Sequence, residues 1–187
     1  MVKKARTLSD ARIKEALDAA DTTRNKLILM LSIKAGLRAC EIAGLRWEDI
    51  DWEDRTMQLK VTKGGVRRQV PINHSLLYLM REHMEESWRA DKKATGPVIV
   101  NGRGGYEPTT PNAIAQWLRR HYEKLEWEGY SSHSGRRTFV TRAAQRIKDA
   151  GGTMKDIQEL VGHADLRTTA GYIDTDENAQ RKLVDLI

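Results

Sequence analysis

The 187-residue sequence contains a single cysteine, Cys40, so the chain cannot form an intrachain disulfide. Small secreted domains often depend on disulfides, whereas proteins of a reducing compartment do without them. We therefore expect a protein of the cytoplasm.

Long apolar runs are also missing from the sequence. The most apolar stretch, residues 27–33, is interrupted by Ser32 and followed by Lys34. It is far shorter than the roughly 20 residues that a membrane-spanning helix needs. This stretch predicts a buried helix, and we expect neither a signal peptide nor a membrane partner.

The motifs of the common nucleotide and metal sites are absent as well. There is no GxxxxGK loop, and Glu107 stands where a dinucleotide-binding loop starting at Gly102 would need its third glycine. The five histidines form no HExxH motif and no Cys/His pair at zinc-ligand spacing. The acidic run at residues 48–54 lacks the pattern of a calcium loop and indicates a solvated loop. We expect no cofactor, no metal ion and no small-molecule substrate.

What the sequence does have is an excess of positive charge. Lys and Arg outnumber Asp and Glu by 32 to 26, which gives a formal net charge of +6. This balance suits a polyanionic partner, although a soluble basic protein without such a partner would show it too. The length is that of one compact domain, and no internal repeat or linker divides it. We therefore expect a single domain over residues 1–187.

Local patterns predict that most of the chain is helical. Residues 7–10 (TLSD) have the form of a capping box, and a second helix from about Thr23 ends at Gly36. A short helical segment follows at residues 40–45. Further helices are predicted to start at Thr110, which precedes a proline, and at Thr153, which opens another capping box and whose helix closes near Gly162.

Alternating apolar residues predict a β-hairpin. One run contains Met57, Leu59 and Val61, the next contains Val66, Val70 and Ile72, and residues 63–65 (KGG) lie between them. Residues 97–100 form a further, short strand candidate. The predicted fold class is mostly α with a small antiparallel β-sheet (α+β).

Four short segments stand in a fixed order before Tyr172: residues 35–42 (AGLRACEI), 62–64 (TKG), 133–136 (HSGR) and 160–163 (LVGH). Taken singly, each has an ordinary interpretation, such as a surface charge, a turn lysine or a packed tyrosine. Their ordered combination closely resembles the catalytic domain of the tyrosine recombinases of the phage-integrase type. The resemblance runs from about Leu8 to about Asp176 and includes Glu41 as a supporting residue.

The resemblance implies six catalytic residues: Arg38, Lys63, His133, Arg136, His163 and Tyr172. A phosphodiester is anionic, and its pentacoordinate transition state gathers further negative charge on the non-bridging oxygens. The planar, permanently charged guanidinium groups of Arg38 and Arg136 suit that charge, and His163 adds a hydrogen bond to a phosphate oxygen. With such groups present, the expected reaction needs neither a metal ion nor ATP.

The resemblance assigns the attack and the proton transfers to the other three residues. A phenol has an unperturbed pKa of about 10, so Tyr172 must lose its proton during attack, and His133 is the candidate base. Lys63 is the candidate acid that protonates the leaving 5′ oxygen. Since the tyrosyl phosphodiester conserves the energy of the bond, another 5′ hydroxyl can reverse the step. The expected outcome is strand exchange through a 3′-phosphotyrosyl intermediate.

Four other tyrosines compete with Tyr172 as nucleophile: Tyr78, Tyr106, Tyr122 and Tyr130. None of them follows a Gly-His pair at the same spacing. Tyr130 precedes the HSGR segment and is better placed to pack against its neighbours.

The resemblance also implies partners and a domain arrangement. Double-stranded DNA is the expected partner, and self-association into a tetramer on DNA is expected with it. Members of this family usually carry an N-terminal helical core-binding domain, which we expect to be absent from these residues. Residues 176–187 are expected to form a C-terminal tail segment that contacts a neighbouring subunit or folds back.

Two other functions stay open. A type IB topoisomerase uses related groups to nick and reseal one strand, and a catalytically silent DNA-binding regulator could share the same scaffold. The two glycines after Lys63 and the LVGH segment look like integrases rather than topoisomerases. The presence of all six residues argues against a silent regulator, because mere binding does not need a nucleophile.

Overall fold

The computed structural model describes residues 5–60, 67–87, 95–101 and 107–162. Most of the described elements are α-helices, and three short strands form one antiparallel sheet, so the predicted fold class is confirmed. None of the helices within these ranges is long and apolar enough to cross a membrane. The elements are α1 (Asp10–Asp18), α2 (Thr23–Lys34), α3 (Ala39–Gly44), a 3-10 helix (Trp47–Asp49), β1 (Ile50–Asp51), β2 (Thr56–Leu59), β3 (Arg68–Pro71), α4 (His74–Ser87), α5 (Pro111–Lys124), α6 (Ser134–Arg146) and α7 (Met154–Val161).

Both later helix starts are confirmed, together with the end of α7. The hydroxyl of Thr110 accepts a backbone N–H of the first turn of α5, and Pro111 is the first helical residue. At the start of α7 the carboxylate of Asp156 accepts the backbone N–H of Thr153 at 2.7 Å. Gly162 closes α7 in the left-handed region, with φ of +63°.

The start of α1 differs from the prediction. The helix begins at Asp10, and Ser9 is its N-cap, with a side chain that accepts a backbone N–H of the first turn at 3.3 Å. The preceding residue is tied to α6 instead, because the Leu8 N–H donates to Oγ1 of Thr138 at 2.8 Å. The cap is therefore Ser9 rather than Thr7, and the capping box predicted at residues 7–10 is wrong.

The sheet has the order β1-β2-β3, with both pairs antiparallel. Met57 is opposite Ile50 on one side and opposite Val70 on the other, and all three side chains are buried. The alternation of apolar residues therefore predicted the strands and their inner face correctly. The connection at residues 61–66 lies outside the described residues.

The strand candidate at residues 97–100 is wrong as a separate strand. Pro97 and Val100 form isolated bridges to two different partners, Arg46 and Pro108. Proline has no N–H for a ladder, and the hydrogen bonds of this segment go to segments on both sides of it. Val98 and Ile99 are buried without belonging to a sheet.

The centre of the core is α2, and α6 crosses it at close range. The side chains of Leu27, Ile28 and Leu31 in α2 are completely buried. At Gly135 in the first turn of α6, an added Cβ would lie 2.3 Å from Oγ of Ser32. Since only glycine permits this approach, the start of α6 is held against the end of α2.

The end of α2 is confirmed and turns the chain sharply toward α6. Gly36 follows the helix with φ of +65°, and an added Cβ would lie 2.5 Å from Cδ1 of Phe139 in α6. Positive φ and the lack of space both favour glycine at this position. The chain then enters α3, which matches the short helix predicted at residues 40–45. This turn brings Arg38 close to the start of α6.

Candidate active site

Arg38 is the N-cap residue of α3. Its backbone N–H donates to Oε2 of Glu41 at 2.7 Å, and its Nη1 donates to Oε1 of the same carboxylate at 3.1 Å. The side chain of Arg38 is 37% exposed. A single carboxylate therefore fixes the start of the helix and the direction of the guanidinium, while part of the side chain stays accessible.

Arg136 lies in the first turn of α6 and is 4% exposed. Its Nη1 donates to the carbonyl oxygen of Gly36 at 2.6 Å, and its Nη2 donates to that of Val161 at 2.7 Å. Carbonyl oxygens orient a guanidinium but do not cancel its charge. Oε2 of Glu41 is 3.9 Å from Nη1, so this ion pair is a long one. The site thus holds a buried, well-oriented positive charge.

Glu41 is the shared acidic centre of the site, and its side chain is 3% exposed. Besides Arg38, it accepts a 2.7 Å hydrogen bond from Nη1 of Arg68. Burial alone raises the pKa of Glu41, but the hydrogen bonds from Arg68 and the Arg38 N–H, with the charges of Arg68 and Arg136, hold it below its ordinary value. Glu41 is therefore ionised at neutral pH, and three guanidinium groups around one carboxylate leave the site positively charged.

Arg68, in strand β3, belongs to the site and was missed in the sequence. Its Nη1 contacts Glu41, its Nε donates to the carbonyl oxygen of Leu160 at 3.0 Å, and its side chain is 12% exposed. A signal for it was available, because Arg68 shares the inner face of the strand with Val70 by the alternation of side chains. A charged residue at an inward position needs a buried partner, and that partner is Glu41.

The end of α7 binds all three arginines. The carbonyl oxygen of Leu160 accepts from Arg68, that of Val161 accepts from Arg136, and that of Gly162 accepts from Nη2 of Arg38 at 3.4 Å. The last carbonyls of a helix have no partner within the helix and carry a partial negative charge. Consecutive residues at this end therefore present three acceptors that arrange three guanidinium groups.

His133 is the N-cap residue of α6 and is exposed. Its backbone N–H donates to Oγ of Ser131 at 3.3 Å. His133 and Arg136 lie together at the start of the same helix, as their spacing predicted. The roles of both residues stay predictions.

Lys63, His163 and Tyr172 lie outside the described residues, so their roles stay predictions as well. His163 is the next residue along the chain after Gly162. Lys63 precedes β3 by five residues. The start of β3, five residues after Lys63, and the end of α7, two residues before His163, both lie at the arginine cluster.

Three of the tyrosines that compete with Tyr172 as nucleophile lie in the described residues, and their environments differ. Tyr122 is 1% exposed, and burial raises the pKa of its phenol, which makes it a poor nucleophile. Tyr130 packs against Trp127, and its hydroxyl donates to the carbonyl oxygen of Thr7 at 3.2 Å. Tyr78 is 72% exposed on α4. Tyr106 lies outside the described residues.

The acidic run at residues 48–54 makes local contacts. Asp49 accepts the N–H of Arg46 at 3.1 Å and pairs with Lys60 at 3.1 Å. Asp51 accepts backbone N–H groups of the turn that follows it. In the part of the chain that the structure describes, no group of three or more His, Cys, Asp or Glu side chains is placed to hold a metal ion.

Residues 6–179 match the model of the phage integrase family. This chain belongs to the phage integrase family. Among curated relatives of this integrase chain, tyrosine recombinase XerA of Pyrococcus horikoshii is 29% identical over 169 residues, which cover 89% of the chain and 56% of the relative. The chain spans about half the length of the curated relatives that it matches.

Solved structures have the same integrase fold. The crystal structure of XerA recombinase gives a TM-score of 0.76 at 22% identity, covering 98% of this chain and 65% of the other. The integrase of transposon Tn1549, in complex with a circular intermediate DNA, gives a TM-score of 0.77 at 19% identity, covering 100% of this chain and 67% of the other. These likenesses agree with the helices and the three-stranded sheet described above.

Proposed function

We propose that this chain acts as a site-specific DNA recombinase that cleaves and rejoins DNA through a covalent 3′-phosphotyrosyl bond to Tyr172, without a metal ion or ATP. The observation that carries the proposal is the cluster of Arg38, Arg68 and Arg136 around one carboxylate, that of Glu41. Membership of the phage integrase family supports the class of reaction.

The charge of the cluster suits a phosphodiester. Two of the guanidinium groups belong to catalytic candidates, Arg38 and Arg136, and both are oriented by groups of the protein before any substrate binds. Preorganised donors stabilise charge that develops in a transition state without having to reorganise. The positive charge that a metal ion supplies in other phosphoryl-transfer enzymes is here supplied by arginine.

The proposed cleavage step moves one proton at each end of the reaction. Oη of Tyr172 attacks the phosphorus atom, a new P–O bond forms, and the phenolic proton passes to His133. The bond from phosphorus to the 5′ oxygen breaks, and Lys63 gives that oxygen a proton. His163 donates a hydrogen bond to a non-bridging oxygen. Rejoining reverses these steps with the 5′ hydroxyl of another strand as nucleophile.

Duplex DNA is the proposed partner, and a tetramer on DNA is the proposed assembly. The formal net charge of +6 favours a polyanion, and the structurally similar Tn1549 integrase is in complex with DNA. In this assembly the tail segment, residues 176–187, contacts a neighbouring subunit. The apolar residues near its end, Leu183, Val184, Leu186 and Ile187, supply the contact surface.

Trapping of the covalent intermediate tests the proposal. A nicked suicide duplex, built from the DNA that flanks the gene, is incubated with the chain and run on a denaturing gel. The wild type and Tyr78→Phe, an exposed-tyrosine control, are expected to give an adduct, whereas Tyr172→Phe binds the DNA without forming one. An adduct that persists in Tyr172→Phe would show that the nucleophile is assigned wrongly.

The same proteins separate the two alternatives. Relaxation of a supercoiled plasmid with no preference for a site would indicate a type IB topoisomerase. DNA binding by the wild type with no adduct on any suicide duplex would indicate a silent regulator. Site-dependent adduct formation supports the recombinase.

A further inference from the structure

Arg68 joins three parts of the site through one guanidinium group. It lies in β3, it donates from Nη1 to Glu41 in α3 at 2.7 Å, and it donates from Nε to the carbonyl oxygen of Leu160 in α7 at 3.0 Å. The sheet, the helix that follows Arg38 and the helix that precedes His163 therefore meet at a single side chain.

The carboxylate oxygen that Arg68 contacts is the one that also binds Arg38. Oε1 of Glu41 accepts from Nη1 of Arg68 at 2.7 Å and from Nη1 of Arg38 at 3.1 Å. The shorter bond belongs to Arg68, whose side chain is 12% exposed, and the longer one belongs to Arg38, which is 37% exposed. Arg68 thus takes up much of the negative charge of Glu41 and leaves Arg38 less tightly paired.

The guanidinium of Arg68 is also seated against the end of α7. An added Cβ at Gly162 would lie 2.7 Å from Nη1 and 3.2 Å from Cζ of Arg68. This contact leaves no space for a side chain at residue 162, and it fixes the end of α7 at the distance where Val161 meets Arg136.

Stability alone does not account for this arrangement. In the described part of the chain, Nη2 of Arg68 is buried without a hydrogen-bond partner. A buried donor without a partner destabilises the folded state, and such a group in a native structure calls for an explanation. The other two nitrogens indicate what the side chain is there for: Nη1 binds the carboxylate of Glu41 that holds Arg38, and Nε binds the carbonyl of Leu160, next to the Val161 carbonyl that holds Arg136.

We propose that Arg68 is a positioning residue of the phosphate site: it holds Glu41 and the end of α7 so that Arg38 and Arg136 are placed to bind the scissile phosphate. This inference rests on the proposed function. Arg68 acts through Glu41 and α7 and does not itself contact the DNA.

The shape of the side chain is essential to this role. Arginine presents Nε and Nη1 in a rigid fork that meets a carbonyl and a carboxylate together, whereas lysine offers one compact ammonium group. Arg68→Lys keeps the charge and loses the fork. Arg68→Gln loses both, and it is expected to be the more severe variant.

The test measures the single-turnover rate of adduct formation at saturating suicide DNA, together with DNA affinity and thermal unfolding. Arg68→Gln is expected to slow adduct formation by about 10-fold to 100-fold, and Arg68→Lys by less. The matched control is Arg67→Gln, which removes the same charge from the exposed neighbouring residue. The DNA affinity of Arg68→Gln is expected to match that of this control.

Two further measurements separate a positioning role from a merely structural one and from a role in proton transfer. The loss caused by Arg68→Gln should be smaller in a Glu41→Gln background than in the wild type, because the part of its role that passes through Glu41 is already lost there and only the contact with α7 remains. The loss in Arg68→Gln should also persist on DNA whose scissile 5′ oxygen is replaced by sulfur, a leaving group that needs no proton. If Arg68→Gln fails to fold, Arg68→Lys carries both measurements.

Several results would overturn the inference. One is an adduct-formation rate of Arg68→Gln equal to that of Arg67→Gln. Another is a loss in the double variant equal to the product of the losses in Glu41→Gln and Arg68→Gln. A third is recovery of the Arg68→Gln rate on the sulfur substrate, which would assign Arg68 to the protonation of the leaving group. Each requires that the wild type forms an adduct. A wild type that forms none contradicts the proposed function instead, so the two failures are distinguishable.

Discussion

Nη2 of Arg136 donates a 2.7 Å hydrogen bond to the carbonyl oxygen of Val161, the last residue of α7. A helix C-terminus carries partial negative charge, so it holds the buried guanidinium without forming an ion pair with it. Nη1 of the same side chain is held by the carbonyl of Gly36 at 2.6 Å. The direction of this positive charge is therefore set by the backbone of two other elements.

Arg136→Lys is expected to lose both of these contacts, because one ammonium group cannot reach two carbonyls in the same geometry. Adduct formation should fall by about 100-fold or more, as when one donor to a transition state is removed. The free energy of unfolding should fall by about 1–3 kcal/mol for a carbonyl left unpaired. Single-turnover trapping and urea unfolding measure the two effects.

Arg146→Lys is the control for Arg136→Lys, since Arg146 is exposed in the last turn of the same helix. It should change neither quantity appreciably. Equal effects of the two substitutions would contradict the assigned role of Arg136.

Glu41→Gln tests the acidic centre through its pH dependence. The pKa of Glu41 in the folded chain lies below its ordinary value of 4.5, so its ionised form stabilises the fold above about pH 4.5. This contribution is lost as the pH falls through the folded pKa. At neutral pH the substitution should cost about 3–5 kcal/mol, because it removes the carboxylate that pairs with the buried guanidinium of Arg68.

The difference between wild type and Glu41→Gln should therefore shrink as the pH is lowered below about 4.5. Urea unfolding at a series of pH values measures it. Glu15→Gln, at an exposed position on α1, should show almost no difference at any pH. A difference for Glu41→Gln that stays constant down to pH 3 would contradict the ion-pair account.

Gly162→Ala and Gly151→Ala form a matched pair. Both glycines have positive φ, +63° and +70°, so alanine strains the backbone at each, by about 1–2 kcal/mol. An added Cβ at Gly151 meets nothing within 4 Å, whereas at Gly162 it would lie 2.7 Å from Nη1 of Arg68. Both variants should lose stability, and Gly162→Ala alone should slow adduct formation. Equal rates in the two variants would contradict the coupling of Gly162 to the site.

Lys63→Ala tests the proposed general acid. On ordinary DNA it should form the adduct slowly, because the leaving 5′ oxygen is not protonated. On DNA with sulfur at that position the variant should approach the wild-type rate, since a thiol has a pKa near 8.5 and leaves as a thiolate. A defect of the same size on both substrates would assign Lys63 to another role.

Local signals predicted the elements whose ends depend on their own residues. Thr110, Thr153 and Gly162 cap helices as their types and spacing indicated. The start of α1 was misplaced because Thr7 and Ser9 are both residue types that cap helices, and Ser9 is the one that does so.

Within the described residues, the sequence pointed to Arg38 and Arg136 but not to the contacts that connect them. Arg38 and Arg136 were predicted from ordered motifs, which carry no information on which side chains pair with each other. Arg68 was missed because the alternation in β3 predicts which face it occupies, but the partner on that face, Glu41, comes from another element. The three carbonyls at the end of α7 have no side-chain signal at all.

The most direct measurement of the central claim is the identity of the residue bound to DNA. The wild-type adduct, formed in EDTA and without ATP, is digested with nuclease and trypsin, and the nucleotide-bearing peptide is sequenced by mass spectrometry. The five tyrosines fall in five different tryptic peptides, and Tyr172 lies in residues 168–181. The account predicts the nucleotide on Tyr172 in that peptide. A nucleotide on any other peptide, or an adduct that forms only when a divalent metal is added, would contradict it.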